Sequence, residues 1–182
     1  LIIIFQQEIR RFFLMIGSKY NIAHRFGFDT LFDSSNESNK SFIVPVVSSC
    51  TQLSKTKTGA LIVITRKSEL KEYLSTGELL NAAVSVQLLG SIFFKNSPLH
   101  DGAAIISNNE IKAAACILPV SQNFDLPKEF GLRHRAALGI TETTDAVAIV
   151  VSEETGKITY ASHGQMKHDI SSEELTQLLE KL

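Results

Sequence analysis

The chain reads as an α/β (α+β) protein, a mixed central β-sheet flanked by helices in one globular domain. Three observations predict this. Short unbroken apolar runs such as Ala60-Leu61-Ile62-Val63-Ile64 have the length and composition of buried strands. Two pairs of such runs are separated by only a few turn-forming residues, as in hairpins. Between and around them lie longer stretches with apolar residues at helical spacing.

In order, residues 2–16 read as an amphipathic helix with Arg10 and Arg11 beside an apolar cluster of Phe12, Phe13, Leu14 and Ile16, stopped by Gly17. Asp33-Ser34-Ser35-Asn36-Glu37-Ser38-Asn39-Lys40 has nothing apolar to bury and reads as linker. The expected organisation is therefore an N-terminal helix over 1–17, a flexible linker over 18–40 and the main domain over 41–182.

Ser41 is placed to cap a helix running to about Ser54, with Ile43, Val46, Val47 and Cys50 on its buried side. After the strand at 60–64, Gly77 precedes a predicted long helix from Glu78 to about Phe93, apolar at Leu79, Ala82, Ala83, Val86, Leu89 and Phe93. Ala103–Ser107 and Ile111–Leu118 flank Asn108-Asn109-Glu110 as a hairpin. A polar loop with Pro119 and Pro127 leads to a helix from Arg133 to about Ile140. Ala146–Val151 and Lys157–Ala161 form a second strand pair around Glu154-Thr155-Gly156. Ser171 and Glu174, three apart, mark a capping box that opens a last helix to Leu182.

Composition narrows the function classes. Of the 182 residues, 44% are apolar and 20% charged, which supports a real core. A formal net charge of −1 supplies no global field to draw in nucleic acid or anionic lipid, so an anionic ligand must be held by local cations. Cys50 and Cys116 lie far apart without zinc-type spacing and read as reduced, buried thiols with no disulfide, as in a cytosolic setting. The chain opens Leu1-Ile2-Ile3-Ile4-Phe5 without an initiator Met and reads as a fragment or processed product. That run is far short of the roughly 20 apolar residues that span a bilayer.

Three constellations carry candidate chemistry. Pro98-Leu99-His100-Asp101-Gly102-Ala103 stands just before a strand, where a carboxylate is held rigidly and Gly102 lets a ligand approach the backbone. An Asp there can bind a divalent metal or polarise a hydroxyl, although Asp-Gly is also a common turn pair. Gly131-Leu132-Arg133-His134-Arg135 precedes a helix, so side-chain cations meet backbone N–H groups that favour phosphate. Two arginines are out of place at a helix N-terminus unless an anion sits among them; the alternative is a solvated basic turn. Ser152-Glu153-Glu154 follows a strand, and either Glu153 or Glu154 is able to complete a metal site begun by Asp101. His24, His163 and His168 have no ligand-like partners in sequence and read as surface or satisfied core residues.

Taken together, Gly59–Ile64, Pro98–Ala103, Arg133–Ala137 and Val151–Gly156 resemble the diadenylate cyclase family. Its hallmark motifs, DGA and RHR, occur in the family's order and at its usual separation, and similarity runs over about residues 41–170. Ile4-Phe5-Gln6-Gln7-Glu8-Ile9-Arg10-Arg11 resembles the helix after the transmembrane segments of the membrane-anchored branch, which often has Gln-Pro where this chain has Gln6-Gln7. A second departure is Leu132, where many members carry Thr.

The resemblance implies that two ATP molecules are joined into cyclic di-AMP with release of two pyrophosphates. It implies that Asp101 activates the attacking 3′-hydroxyl, directly or through a metal, and that Gly102 and Ala103 line the nucleotide site. Arg133, His134 and Arg135 would engage the triphosphate, with Ser152 close to it. His100 and Glu154 would join Asp101 in holding Mg²⁺ or Mn²⁺. Leu118 would offer backbone groups to the adenine edge, and Ile117 would pack on the ring. The implied assembly is a transient face-to-face homodimer. The implied location is the cytoplasmic side of the cell membrane, with a membrane regulatory partner. Three other readings stay open: a silent module that binds ATP or cyclic di-AMP, a metal-dependent phosphohydrolase using His100, Asp101 and Glu154, and a structural interaction domain.

Overall fold

Ala60–Ile64 (β1) is buried along its whole length and lies at the centre of the sheet. The structure, a computed structural model, describes residues 40–123, 127 and 130–182. The predicted helix over 2–16, the linker as far as Asn39, and His24 lie outside them.

Among the described residues seven strands form one sheet. The others are β2 (Glu78–Ala83), β3 (Ala103–Ser107), β4 (Glu110–Cys116), β5 (Val147–Val151), β6 (Ile158–Ser162) and β7 (Gln165–His168). Their order is β2-β4-β3-β1-β5-β6-β7. β1 runs parallel to β3 and antiparallel to β5, so the sheet is mixed, as expected.

Alternation along the strands feeds two cores. Ala60, Ile62 and Ile64 point to one face with Ile106, Ile149 and Val151. There they meet α1 (Ile43–Lys55), α3 (Val86–Ile92) and α5 (Ser172–Glu180) through Val46, Cys50, Leu89, Ile92, Leu175 and Leu179. Leu61, Val63, Ile105 and Val150 point to the other face and meet Ala137 and Ile140 of α4 (Leu132–Thr143). Tyr73 and Leu74 of the short α2 (Lys71–Leu74) pack on the same side. Each large aliphatic side chain so buried contributes about 1.5–3 kcal/mol.

Several element boundaries differ from the sequence reading. Glu78–Phe93 is not one helix. Its first part is edge strand β2, paired with β4, and only Val86–Ile92 is helical, capped by Ser85 whose Oγ accepts from the Leu88 amide at 3.2 Å. The apolar spacing misled because an edge strand with mostly exposed side chains loses its alternation, and Asn81, at φ +47°, breaks the register. Ser41 is not the cap of α1: Phe42 holds that position with no side-chain bond. β4 stops at Cys116 because Ala115 takes φ +55° and the Ile117 amide leaves the sheet to donate to Thr76 Oγ1 at 2.9 Å. Half of the predicted capping box forms. Ser171 Oγ accepts from the Glu174 amide at 3.2 Å, while the Glu174 carboxylate pairs with Lys167 on β7, a strand the sequence did not announce.

Candidate functional site

The topology brings four distant segments to one end of the sheet. β1 and β3 are parallel and start together, so Gly59 lies beside Asp101-Gly102. β4 and β5 are antiparallel to these neighbours and end there, delivering Ile117-Leu118 and Ser152-Glu153-Glu154. The N-terminus of α4 completes a cleft of about 480 Å³. Its lining includes Asp101, Gly102, Leu118, Arg133, His134, Ser152 and Glu154, together with Leu61, Ile117, Val120, Leu132 and Glu153.

Each lining group has a local reason for its place. Gly102 adopts φ +126°, and a Cβ there would stand 2.7 Å from the Ala115 carbonyl carbon, so only glycine lets the turn close on β4. This holds Asp101 at the cleft with an exposed carboxylate that makes no hydrogen bond or ion pair among the described residues. Ser152 Oγ accepts from the Thr155 amide at 3.2 Å and shapes the turn that carries Glu153 and Glu154. Gly131 caps α4 without a side-chain bond, and the amides of His134 and Arg135 both reach its carbonyl. No acidic residue occupies the first turn of this helix. Its amides and dipole therefore favour an anion in the cleft.

The three RHR side chains differ in setting. Arg133 is held on the cleft: Nη1 donates to Glu153 Oε2 at 2.7 Å and Nη2 to the His100 carbonyl at 3.3 Å. His134 borders the cleft but is only 3% exposed, and its ring stacks on Phe130 at 4.6 Å with an interplanar angle of 6°. His168 packs on the same Phe130 at 5.0 Å and its Nδ1 lies 2.7 Å from Thr159 Oγ1, but its buried Nε2 has no hydrogen-bond partner among the described residues, so the satisfied setting expected for it is only half met. Arg135 is half-buried and does not line the cleft, and its carbonyl accepts from the Ser121 amide at 3.0 Å. Ala103 is buried in the sheet behind the site rather than on its surface.

The expected metal set is not assembled. Among the described residues no three His, Cys, Asp or Glu side chains converge as metal ligands. The His100 ring turns back on its own loop, with Nδ1 2.6 Å from the Ser97 carbonyl, and does not line the cleft. Asp101 and Glu154 do share the cleft as exposed carboxylates. Such a donor set fits Mg²⁺ or Mn²⁺, hard cations that bind through one or two carboxylates plus substrate phosphates and water.

Both cysteines are free and buried, as expected. Burial pushes the Cys50 thiol up to about 12 and that of Cys116, which borders the cleft, up to about 11. Cys116 is thus no nucleophile at neutral pH. Ile117, Val120 and Leu132 are 70%, 49% and 77% exposed around the cleft mouth. The resemblance singles out Ile117 and Leu132, whereas the sequence reading missed Val120, since no pattern in the sequence distinguishes it from a core residue. It also missed Gly59, whose significance lies in a contact between two other residues.

A mixed α/β domain whose carboxylate turn faces an anion-seeking helix N-terminus across an apolar-rimmed cleft defines a nucleotide-binding class of protein. Comparison with known proteins places it within that class. The chain belongs to the DAC family, DisA bacterial checkpoint controller nucleotide-binding, which it matches over residues 47–166. It is 46% identical over 182 residues to a diadenylate cyclase of Listeria monocytogenes serotype 1/2a (strain 10403S), covering all of this chain and 64% of that protein. It is 43% identical to the cyclic di-AMP synthase CdaA of Bacillus subtilis (strain 168), covering 99% of this chain and 64% of that one. The crystal structure of a double cysteine mutant of DacA from Staphylococcus aureus is similar with a TM-score of 0.76 and 40% identity, covering 79% of this chain and 95% of that chain. The chain therefore spans about 64% of the length of the curated relatives it matches.

Proposed function

We propose that this domain is a diadenylate cyclase that condenses two ATP molecules into cyclic di-AMP with release of two pyrophosphates. The observation that carries the reading is one cleft flanked by the Asp101 turn, the Arg133 end of α4 and the Ser152–Glu154 turn, in a chain of this family. The relatives' names, diadenylate cyclase and cyclic di-AMP synthase, support the same chemistry.

In each condensation the 3′-oxygen of one ATP forms a bond to the α-phosphorus of the other. The bond from that phosphorus to the bridging oxygen breaks, and pyrophosphate leaves. Asp101 accepts the hydroxyl proton and passes it to solvent. Arg133 and the amides at the start of α4 hold the triphosphate and balance charge as the bond breaks, which is most of what a protein contributes to phosphoryl transfer. Arg135 adds positive charge behind them. Asp101 and Glu154 would hold a divalent cation, which supplies charge neutralisation on the phosphates when bound. Leu118 offers backbone groups to the adenine edge, while Ile117 provides apolar surface for the base.

Each ATP is both attacker and target, so two copies of the domain meet face to face, transiently, and ring closure follows from two equivalent transfers. The wider protein is read as anchored at the cytoplasmic side of the membrane under a membrane partner, on the resemblance of residues 4–11 to the juxtamembrane helix of the anchored branch. No described helix is long and apolar enough to cross a membrane.

The deciding experiment incubates the protein with ATP and Mn²⁺ and follows pyrophosphate and product mass. Cyclic di-AMP with two pyrophosphates per ring supports the reading. ATP binding without either product would replace it with a silent binding module, and release of AMP or phosphate with a hydrolase.

A further inference from the structure

Arg133 links three segments that are far apart in sequence. It stands in the first turn of α4, donates to Glu153 beyond β5, and donates to the carbonyl of His100 before β3. Its side chain is 23% exposed, against 64% for Glu153, so the pair has the guanidinium inward and the carboxylate toward solvent. A guanidinium has five N–H donors in a fixed fork. Two are used in these contacts, which leaves three for a ligand.

Gly59 adds a separate observation. A Cβ at that position would lie 2.7 Å from Glu153 Oε2 and 2.9 Å from Arg133 Nη1, closer than real Cβ atoms come to such neighbours. The backbone before β1 leaves room for this ion pair and for nothing more.

We propose that Glu153 is a positioning residue for nucleotide binding: with the His100 carbonyl it holds the Arg133 guanidinium so that the remaining donors meet phosphate already oriented. This rests on the reading of Arg133 as a phosphate ligand. An unanchored arginine loses rotamer freedom when it grips phosphate, and Glu153 removes that cost before the nucleotide arrives. The carboxylate also repels phosphate. At 64% exposure that repulsion is screened by solvent and salt, whereas the geometric restraint is not.

The two effects have opposite signs, so substitution separates them. ATP affinity by calorimetry, together with kcat and KM, is measured for Glu153→Ala, Glu153→Gln, Gly59→Ala, Arg133→Ala and the Glu153→Ala/Arg133→Ala pair. The measurements are made at two salt and two Mn²⁺ concentrations, with melting curves as a check on folding. Glu153→Ala should weaken ATP about five- to thirtyfold, the loss of one charge-assisted anchor, with a much smaller change in kcat. Glu153→Gln keeps an acceptor and should recover most of that loss. Gly59→Ala should mimic Glu153→Ala without lowering the melting temperature appreciably, and Glu153→Ala should add less than about twofold once Arg133 is gone. Tighter ATP binding in both Glu153 variants would show that repulsion dominates and overturn the proposal. Equal weakening in both, relieved by more Mn²⁺, would make Glu153 a metal ligand instead. An undiminished Glu153 effect in the Arg133→Ala background would show that it does not act through Arg133. If Arg133→Ala binds ATP like wild type, the phosphate reading of Arg133 fails, and this inference with it; the three preceding outcomes strike Glu153 alone.

Discussion

Arg133 Nη2 donates to the carbonyl of His100 at 3.3 Å, so the basic end of α4 is bonded to the residue that immediately precedes Asp101. The two halves of the cleft, a carboxylate turn and a cationic turn, are therefore held in one frame. A substitution on either side is expected to be read on the other.

Asp101→Asn keeps the size of an exposed side chain and removes its charge. Cyclisation should fall by about 10²–10⁴-fold, the usual cost of losing a positioned base, while ATP binding persists. Near wild-type turnover would remove Asp101 from the mechanism.

Arg133→Ala should weaken ATP far more than adenosine, by roughly ten- to a hundredfold for one charge-assisted contact of about 1.5–3 kcal/mol. Arg135→Ala should have the smaller effect on ATP, because Arg135 does not line the cleft. Titration of both variants with ATP and with adenosine tests the ranking, and an equal loss for the two ligands would point to a damaged fold.

Leu132→Thr introduces the residue that the family resemblance leads us to expect at this position. Leu132 is 77% exposed on the cleft rim, so no core packing is lost and folding stability should change by no more than the roughly 0.5 kcal/mol typical of surface substitutions, with little shift in melting temperature. A hydroxyl that reaches phosphate should improve ATP affinity by about 0.5–1.5 kcal/mol. Calorimetry showing no gain would mean that the position contributes surface rather than a bond.

Assembly predicts a concentration dependence. If two copies must face each other, specific activity rises with protein concentration at low enzyme and then levels off. Mixing Asp101→Asn with Arg133→Ala chains should not restore activity, since each facing pair keeps a damaged site on both sides. Flat specific activity in a range where sedimentation shows only monomer would exclude the facing arrangement.

The buried thiols predict the alkaline limb of stability. Folding raises Cys50 to about 12 and Cys116 to about 11, above the ordinary thiol range near 8.5. The unfolded chain therefore loses these protons first. Stability is fully present below the unfolded value and declines as pH rises toward the folded ones, by about 1.4 kcal/mol per pH unit for each thiol in that window. Urea midpoints at pH 8 and pH 10 should differ less for Cys50→Val than for the wild type.

Much of this was readable from local order. β1 and β5 are apolar at every position because both their faces are covered. Asn108 and Asn109 take φ values of +51° and +63°, the turn that the pair announced between β3 and β4. Ser171 capped its helix as expected. In these places a few neighbouring residues determine the backbone, so sequence alone decides. β2 was read as helix because its strand character comes from hydrogen bonds to β4, more than 25 residues away, and its exposed side chains record none of that pairing.

The site divides in the same way. Local order set which chemical groups this protein has for an anionic ligand: the Asp101-Gly102 turn and the Arg133-His134-Arg135 run are defined by adjacent residues and, for the latter, by the helix it opens. What each group faces was set by the fold. The sheet order brings the start of β1 and β3 to the ends of β4 and β5, which sets Glu153 rather than a ligand against Arg133, buries His134 on Phe130, turns His100 back to Ser97 and opens Ile117 and Leu132 to the cleft. Those contacts join residues 3 to 20 positions apart, but the frame that sets them is the sheet, whose paired strands lie much farther apart in sequence, and strand register and helix packing are encoded by no local pattern.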